Sequence, residues 1–100
     1  MKAELIIPVK DNDGSDNAEI VETAIREMCA KFGGCTVFEA NGFWSNDEGK
    51  LYNDPVKVIV ASVTSDVDQE IQELASLVLD STDQEAVFYS VDGKASIIKK

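Results

Sequence analysis

The stretch Phe32–Val63, FGGCTVFEANGFWSNDEGKLYNDPVKVIVASV, decides the fold. Gly33-Gly34 stops a helix, because glycine takes the left-handed C-cap conformation without a Cβ clash. Thr36-Val37-Phe38 are β formers and Glu39 alternates outward, so Cys35 to Trp44 reads as a strand. Asn46-Asp47-Glu48-Gly49-Lys50 is a hairpin loop, and Leu51-Tyr52 continues the hairpin beyond it. Asn53-Asp54-Pro55 interrupts the returning strand, and Pro55, lacking an N–H, predicts a bulge or bend there. Val56 to Val63 is the strongest strand in the chain. The order helix end, strand, hairpin, strand is the centre of a split βαβ pattern.

The flanks complete that pattern. Upstream, Leu5-Ile6-Ile7-Pro8-Val9 in residues 3–10 fits a strand buried on both faces or close to it, with Pro8 at its end or edge. Asp11-Asn12-Asp13-Gly14-Ser15 is a turn by composition. Asp16 is then placed to cap a helix, with Glu19 in capping-box position. Ala18, Val21, Ala24, Ile25, Met28, Cys29 and Phe32 follow at helical spacing, with Glu22–Arg26 and Glu27–Lys31 pairs on the wet side. Downstream, Thr64-Ser65-Asp66 opens a second helix. Ser65 is the predicted cap, with Asp66, Asp68 and Glu70 at the positive end of the dipole. Val67, Ile71, Leu74, Ala75 and Val78 form its apolar stripe, and Asp80-Ser81-Thr82-Asp83 ends it. Ala86 to Val91 reads as a strand, and the Asp92-Gly93 turn predicts a short final strand over Ala95 to Ile98.

The sum is one domain over residues 1–100 of the α+β class. It is a ferredoxin-like βαββαβ sandwich with an antiparallel sheet, two helices on one face, right-handed split connections and an extra C-terminal strand. The expected core is Leu5, Ile7, Val21, Ile25, Met28, Phe32, Val37, Val58, Val60, Ile71, Leu74, Val78 and Val87, or their alternation partners.

Composition narrows the function. The 100 residues hold 19 Asp and Glu against 9 Lys and Arg and no His, a formal net charge of −10. That balance disfavours direct nucleic-acid binding, which needs clustered Lys and Arg. The charge is spread evenly, with each half of the chain at −5. The longest apolar runs fall far short of the roughly 20 residues of a membrane span. The N-terminus lacks the apolar core of a secretory signal, so the expected location is cytoplasmic.

Without His, triads of the Ser-His-Asp or Cys-His type are excluded, and no phosphate loop, nucleophile elbow or dinucleotide fingerprint occurs. Acid pairs suited to general acid/base work arise by chance among 19 acids. The expectation is a non-enzyme with no catalytic residues and no cofactor. Asp11, Asp13, Ser15 and Glu22 match some positions of a calcium loop, but Asp16 stands where that loop needs glycine and a strand precedes it. The expected metal set is therefore empty, and the loop reads as a solvated helix-capping turn. Cys29 and Cys35 cannot complete a zinc site alone. They read as two reduced, mostly buried thiols, with a disulfide across Gly33-Gly34 as the alternative.

Two short helices leave one sheet face bare. Phe38, Phe43, Trp44, Ile59, Val63, Phe88 and Tyr89 cannot all lie beneath them, and an exposed apolar sheet face is a partner surface. The expected partner is a second copy in a homodimer, or another protein or ligand on that face. Phe43, Trp44, Tyr52, Phe88 and Tyr89 are the candidate interface residues. Trp44 either anchors an interface or packs across the hairpin on Tyr52 or Leu51. The acidic surface suggests a second role, a DNA-mimicking decoy for a nucleic-acid enzyme, and its interspersed Lys and Arg favour plain solubility instead.

Phe32-Gly33-Gly34-Cys35-Thr36-Val37, Asn41-Gly42-Phe43-Trp44, Pro55-Val56-Lys57-Val58, Gln84-Glu85-Ala86-Val87 and Val91-Asp92-Gly93-Lys94-Ala95 together resemble a group of small proteins carried by phages, plasmids and bacteria. The resemblance spans most of residues 5–98. It implies a small α+β fold and a mobile-element origin, and brings no activity or functional residue with it. The reading is a small interaction or accessory protein, with the acidic decoy and a small-molecule or metal binder as alternatives. The binder would use the open sheet face or the Asp11–Asp16 loop.

Overall fold

A computed structural model describes residues 1–64 and 67–100. The elements run β1 (Lys2–Pro8), α1 (Ala18–Phe32), β2 (Thr36–Ser45), β3 (Leu51–Ser62), α2 (Asp68–Ser81), β4 (Ala86–Val91) and β5 (Lys94–Lys99). They form one five-stranded sheet in the order β2-β3-β1-β4-β5, with every neighbouring pair antiparallel. This is the ferredoxin-like α+β arrangement, with β5 added beside β4. β5 hangs on a two-residue turn, Asp92 at φ 52° and Gly93 at φ 82°, whose paired positive angles match the right-handed strand twist.

β1 lies at the centre, and its alternation is strict. Ala3, Leu5 and Ile7 are fully buried beneath the helices. Glu4, Ile6 and Pro8 face the other way and are half-buried. The helices close over one face only. Val21, Ala24 and Met28 of α1 and Ile71, Leu74, Ala75, Val78 and Leu79 of α2 pack with Leu5, Ile7, Ile59 and Val87 into one core. Full burial of a Leu, Ile, Val or Met side chain contributes roughly 1.5–3 kcal/mol. Among the described residues no helix is long and apolar enough to cross a membrane.

Several sequence expectations change. On β3 it is the alternation partners Ile59 and Ala61, the second of the two sets the sequence allows, that enter the core, because Ile59 stands opposite Leu5 in the ladder. Tyr89, expected at an interface, is buried beneath the helices, also opposite Leu5. Val63 is buried as well, whereas Val37, at the β2 edge, is exposed. No bulge forms at Pro55, since β2 and β3 pair in unbroken register from Thr36↔Val60 to Ser45↔Leu51. The Pro55 carbonyl accepts the Val9 N–H at 3.0 Å. Its missing donor therefore falls on the same side, where the Val9 carbonyl already accepts the Asn17 N–H at 2.9 Å.

The start of α1 also differs. Its N-cap is Asn17, and Asp16 sits one residue earlier, accepting the Ala18 N–H through Oδ1. The Asn17 amide donates instead to the Pro8 carbonyl and to Asp11 Oδ1, both at 3.0 Å. Gly33 ends α1 as expected, at φ 87°, donating to the Cys29 carbonyl at 2.8 Å. The predicted α2 cap, Ser65 with Asp66, lies outside the described residues.

A clasp of acids joins the β1–α1 loop to the α2–β4 loop. The Asp83 carboxylate accepts the Asn12 N–H at 2.8 Å and the Asp13 N–H at 3.1 Å. Asp11 in turn accepts from Asn17, from Gln84 Nε2 and from the Asp83 N–H. Partial burial pushes the Asp11 carboxyl up, but these hydrogen bonds outweigh it and hold it below its usual range. Asp13 is held low by the Ser15 hydroxyl and N–H.

Candidate functional site

The uncovered face is organised by the ladder register. Phe38 stands opposite Val58, Val58 opposite Ile6, Ile6 opposite Phe88, and Phe88 opposite Ile97. Five apolar side chains therefore form one row across all five strands. Phe38, Phe88 and Ile97 are 54%, 50% and 49% exposed, so nothing among the described residues covers the row. Isolated exposed apolar residues are ordinary, but a contiguous row marks a contact surface.

The adjacent row is different in kind. Thr36, Val60, Glu4, Ser90 and Ala95 stand opposite one another in that order. This puts the Glu4 carboxylate at the middle of the sheet, on its central strand and beside the apolar row. Ser90 donates its hydroxyl to Glu4 Oε2 at a long 3.4 Å. A shallow depression of about 720 Å³ opens around it, edged by Met1, Lys2, Ile6, Phe88 and Asp92. Glu4 places a carboxylate at the centre, Asp92 another at the rim, Lys2 an ammonium and Phe88 an exposed aromatic ring. Those groups together can receive a molecule that carries a cationic centre, a carboxylate and a flat ring.

Sequence reasoning missed Glu4. The signal was present, since a lone acid at Ala3-Glu4-Leu5 must point away from a core built on Leu5 and Ile7. Reading β1 as buried on both faces hid it.

Of the predicted interface residues, Phe88 lines this site as an exposed ring, whereas Tyr89 borders the depression but is buried. Trp44 and Tyr52 share the open side but sit far out on the β2–β3 hairpin. Their rings stack at 4.3 Å between centroids and 12° between planes, and Trp44 Nε1 donates to Asp54 Oδ2 at 2.7 Å. Lys50 lies over the Tyr52 ring at 5.0 Å. Trp44 thus packs across the hairpin and still leaves half its surface exposed. Phe43 alternates to the opposite side, beyond the reach of the helices, and is exposed. Glu39 and Lys57, opposite each other in register, form an ion pair, and its hydrogen bond holds the Glu39 carboxyl low.

The cysteines also depart from expectation. Cys29 is exposed, because it follows Met28 by one residue and so turns about 100° away from the core stripe. Among the described residues no group of three or more His, Cys, Asp or Glu side chains is placed to hold a metal ion. The Asp11–Asp16 loop carboxylates accept N–H and hydroxyl groups within the clasp and the α1 start.

No family model matches the chain, and no curated protein matches it. Among solved structures, a phage SAM lyase in its apo state matches with a TM-score of 0.70 at 13% identity. The match covers 99% of this chain and 88% of that one. The likeness is one of fold. It corrects the expectation of a non-enzyme, because the same architecture, over nearly the whole chain, is that of a lyase. Neither the fold nor the absence of His is therefore a ground for excluding catalysis.

Proposed function

We propose that the open face of the sheet binds S-adenosylmethionine, or an organic cation of the same build, and acts on it. The position of Glu4 carries this reading, as a carboxylate at the centre of an apolar sheet face beside an exposed aromatic ring. A sulfonium centre is a fixed positive charge, and Glu4 and Asp92 supply the opposite sign. Lys2 can take the carboxylate of the ligand, and Phe88 offers a face for its adenine ring. The net charge of −10 raises the local concentration of a cation and keeps anionic competitors away. The phage lyase with this fold supplies the ligand class, and a phage or mobile-element origin belongs to the same reading.

Calorimetric titration tests it. S-adenosylmethionine is compared with S-adenosylhomocysteine, which keeps the ring and the amino-acid end but lacks the charged sulfur. The expected result is binding of the first and at least roughly tenfold weaker binding of the second, a gap of about 1.4 kcal/mol that Glu4→Gln removes. Equal binding of both, or of neither, contradicts the reading. Loss of S-adenosylmethionine over time, followed by chromatography, then reports turnover.

A second reading rests on the apolar row. Two copies that meet through the β2–β3 half of the open face would bury Phe38, Val58, Trp44 and Tyr52 in an isologous homodimer. Light scattering checks this. A dimer that Phe38→Glu converts to a folded monomer supports it, and a monomeric parent chain contradicts it. The decoy reading draws less support, since Asp11, Asp13 and Asp83 are engaged as acceptors within the clasp rather than presented outward in a row.

A further inference from the structure

The last turn of α1 and the entry to β2 bring two thiols together. Cys29 Sγ and Cys35 Sγ lie 3.9 Å apart across the Gly33-Gly34 turn. Cys29 is exposed, while Cys35 is half-buried and packs against the core cluster. A disulfide needs the sulfurs at about 2.05 Å, so they must close by somewhat less than 2 Å. Side-chain rotation and a small shift of the turn can provide that. Gly33 and Gly34 have open space where a Cβ would stand, so the turn can give without meeting packed atoms.

We propose that Cys29 and Cys35 form a thiol–disulfide exchange site that takes low-molecular-weight disulfides of the glutathione type and closes to an intramolecular disulfide. The two thiols have different roles. Cys29, open to solvent, attacks one sulfur of the small disulfide as its thiolate. A mixed disulfide forms and one glutathione leaves as thiolate. Cys35 then attacks Cys29 Sγ, the second glutathione leaves, and the Cys29–Cys35 bond closes. Two protein thiols are oxidised, one glutathione disulfide is reduced to two glutathione thiols, and the two protons pass from the protein thiols to the leaving thiolates.

The division of labour follows from the surroundings. Burial pushes the Cys35 thiol up, and the neighbouring Cys29 sulfur pushes it further, so Cys35 is the poorer first attacker. Held 3.9 Å from its target, it is well placed as the resolving thiol, since the second step is intramolecular. The product ties the end of α1 to the start of β2, the strand that carries Phe38 into the open apolar row.

The test is intact-mass analysis of the folded full chain after incubation with excess glutathione disulfide. The expected product is the monomer lighter by two hydrogen atoms, with no lasting glutathione adduct. Cys35→Ser should instead accumulate one stable glutathione on Cys29. Cys29→Ser should react at least roughly tenfold more slowly, because the remaining thiol is half-buried and that burial raises its pKa. The oxidised chain should also melt at a higher temperature than the reduced one, because the bond restricts the unfolded chain. Stable double glutathionylation of the parent chain, a disulfide-linked dimer, or no reaction while the urea-unfolded chain reacts would each overturn the proposal. Both substitutions leave the core stripe of α1 intact, and circular dichroism verifies that the variants are folded before they are compared.

Discussion

Leu5 and Ile6 are consecutive residues on the same central strand and share the same backbone ladder. Leu5 has no exposed surface, whereas Ile6 looks into an open depression. The same split runs along β4, where Tyr89 is 5% exposed and its neighbour Phe88 is 50% exposed. Both sides carry large apolar side chains, although the open one also holds Thr36, Glu4 and Ser90. What differs is that α1 and α2 both arrive on one side. A sheet face that is apolar without a covering layer does not add a core. It offers a surface whose apolar area is stabilised only when something else covers it. On the proposed reading, the placement of Glu4 on that side, among these residues, gives the open face a preference for cations.

The sharpest way to break this comparison is to delete adjacent aromatic rings. Tyr89→Ala should destabilise the fold by about 3–5 kcal/mol, as a cavity under the helices, while Phe88→Ala should cost less than about 1 kcal/mol. Urea unfolding measures both, and equal costs would refute the two-face description.

The next effect lies in the clasp. Asp83→Ala removes the acceptor of the Asn12 and Asp13 N–H groups, with an expected loss of about 1–2 kcal/mol, again by urea unfolding.

The clasp also sets a pH dependence. The folded-state pKa of Asp11 lies below its ordinary value of 3.8, so the stability it contributes is present above that pH. It is lost as the pH falls through the lowered folded value. Thermal melts between pH 5 and pH 2 should show that decline, and Asp11→Asn should flatten it.

The smallest effect belongs to the hairpin. Trp44→Ala loses its stacking on Tyr52 and the Asp54 hydrogen bond on an exposed arm, with an expected cost of about 0.5–1.5 kcal/mol.

Much of the fold is legible in the residues. Gly33-Gly34 and Asp92-Gly93 mark a helix end and a hairpin by backbone conformation alone, and the stripes of both helices appear at their proper spacing. Strand parity is less legible. Val56-Lys57-Val58-Ile59-Val60-Ala61 is apolar at nearly every position, so its pattern does not say which set faces the helices. The pairing of Ile59 with Leu5 decides that, and pairing is a long-range property. Phe88 and Tyr89 present the same problem. Pro55 misled because its effect depends on where the neighbouring strand ends, and β1 ends at Pro8. The site was legible only in part. Phe88 was found by its aromatic character, but Glu4 acquires meaning only when the register sets it beside Ile6, Phe88 and Ser90.

Backbone amide shifts of the labelled protein, recorded as S-adenosylmethionine is added, test the central claim directly. The predicted result is saturable movement of Glu4, Ile6, Phe88, Ser90 and Ala95, with Leu77 on α2 and the hairpin tip at Asp47 unmoved. Saturable shifts centred on the helices or the hairpin tip, or no shifts at millimolar ligand, would contradict the assignment of the open sheet face as the binding surface.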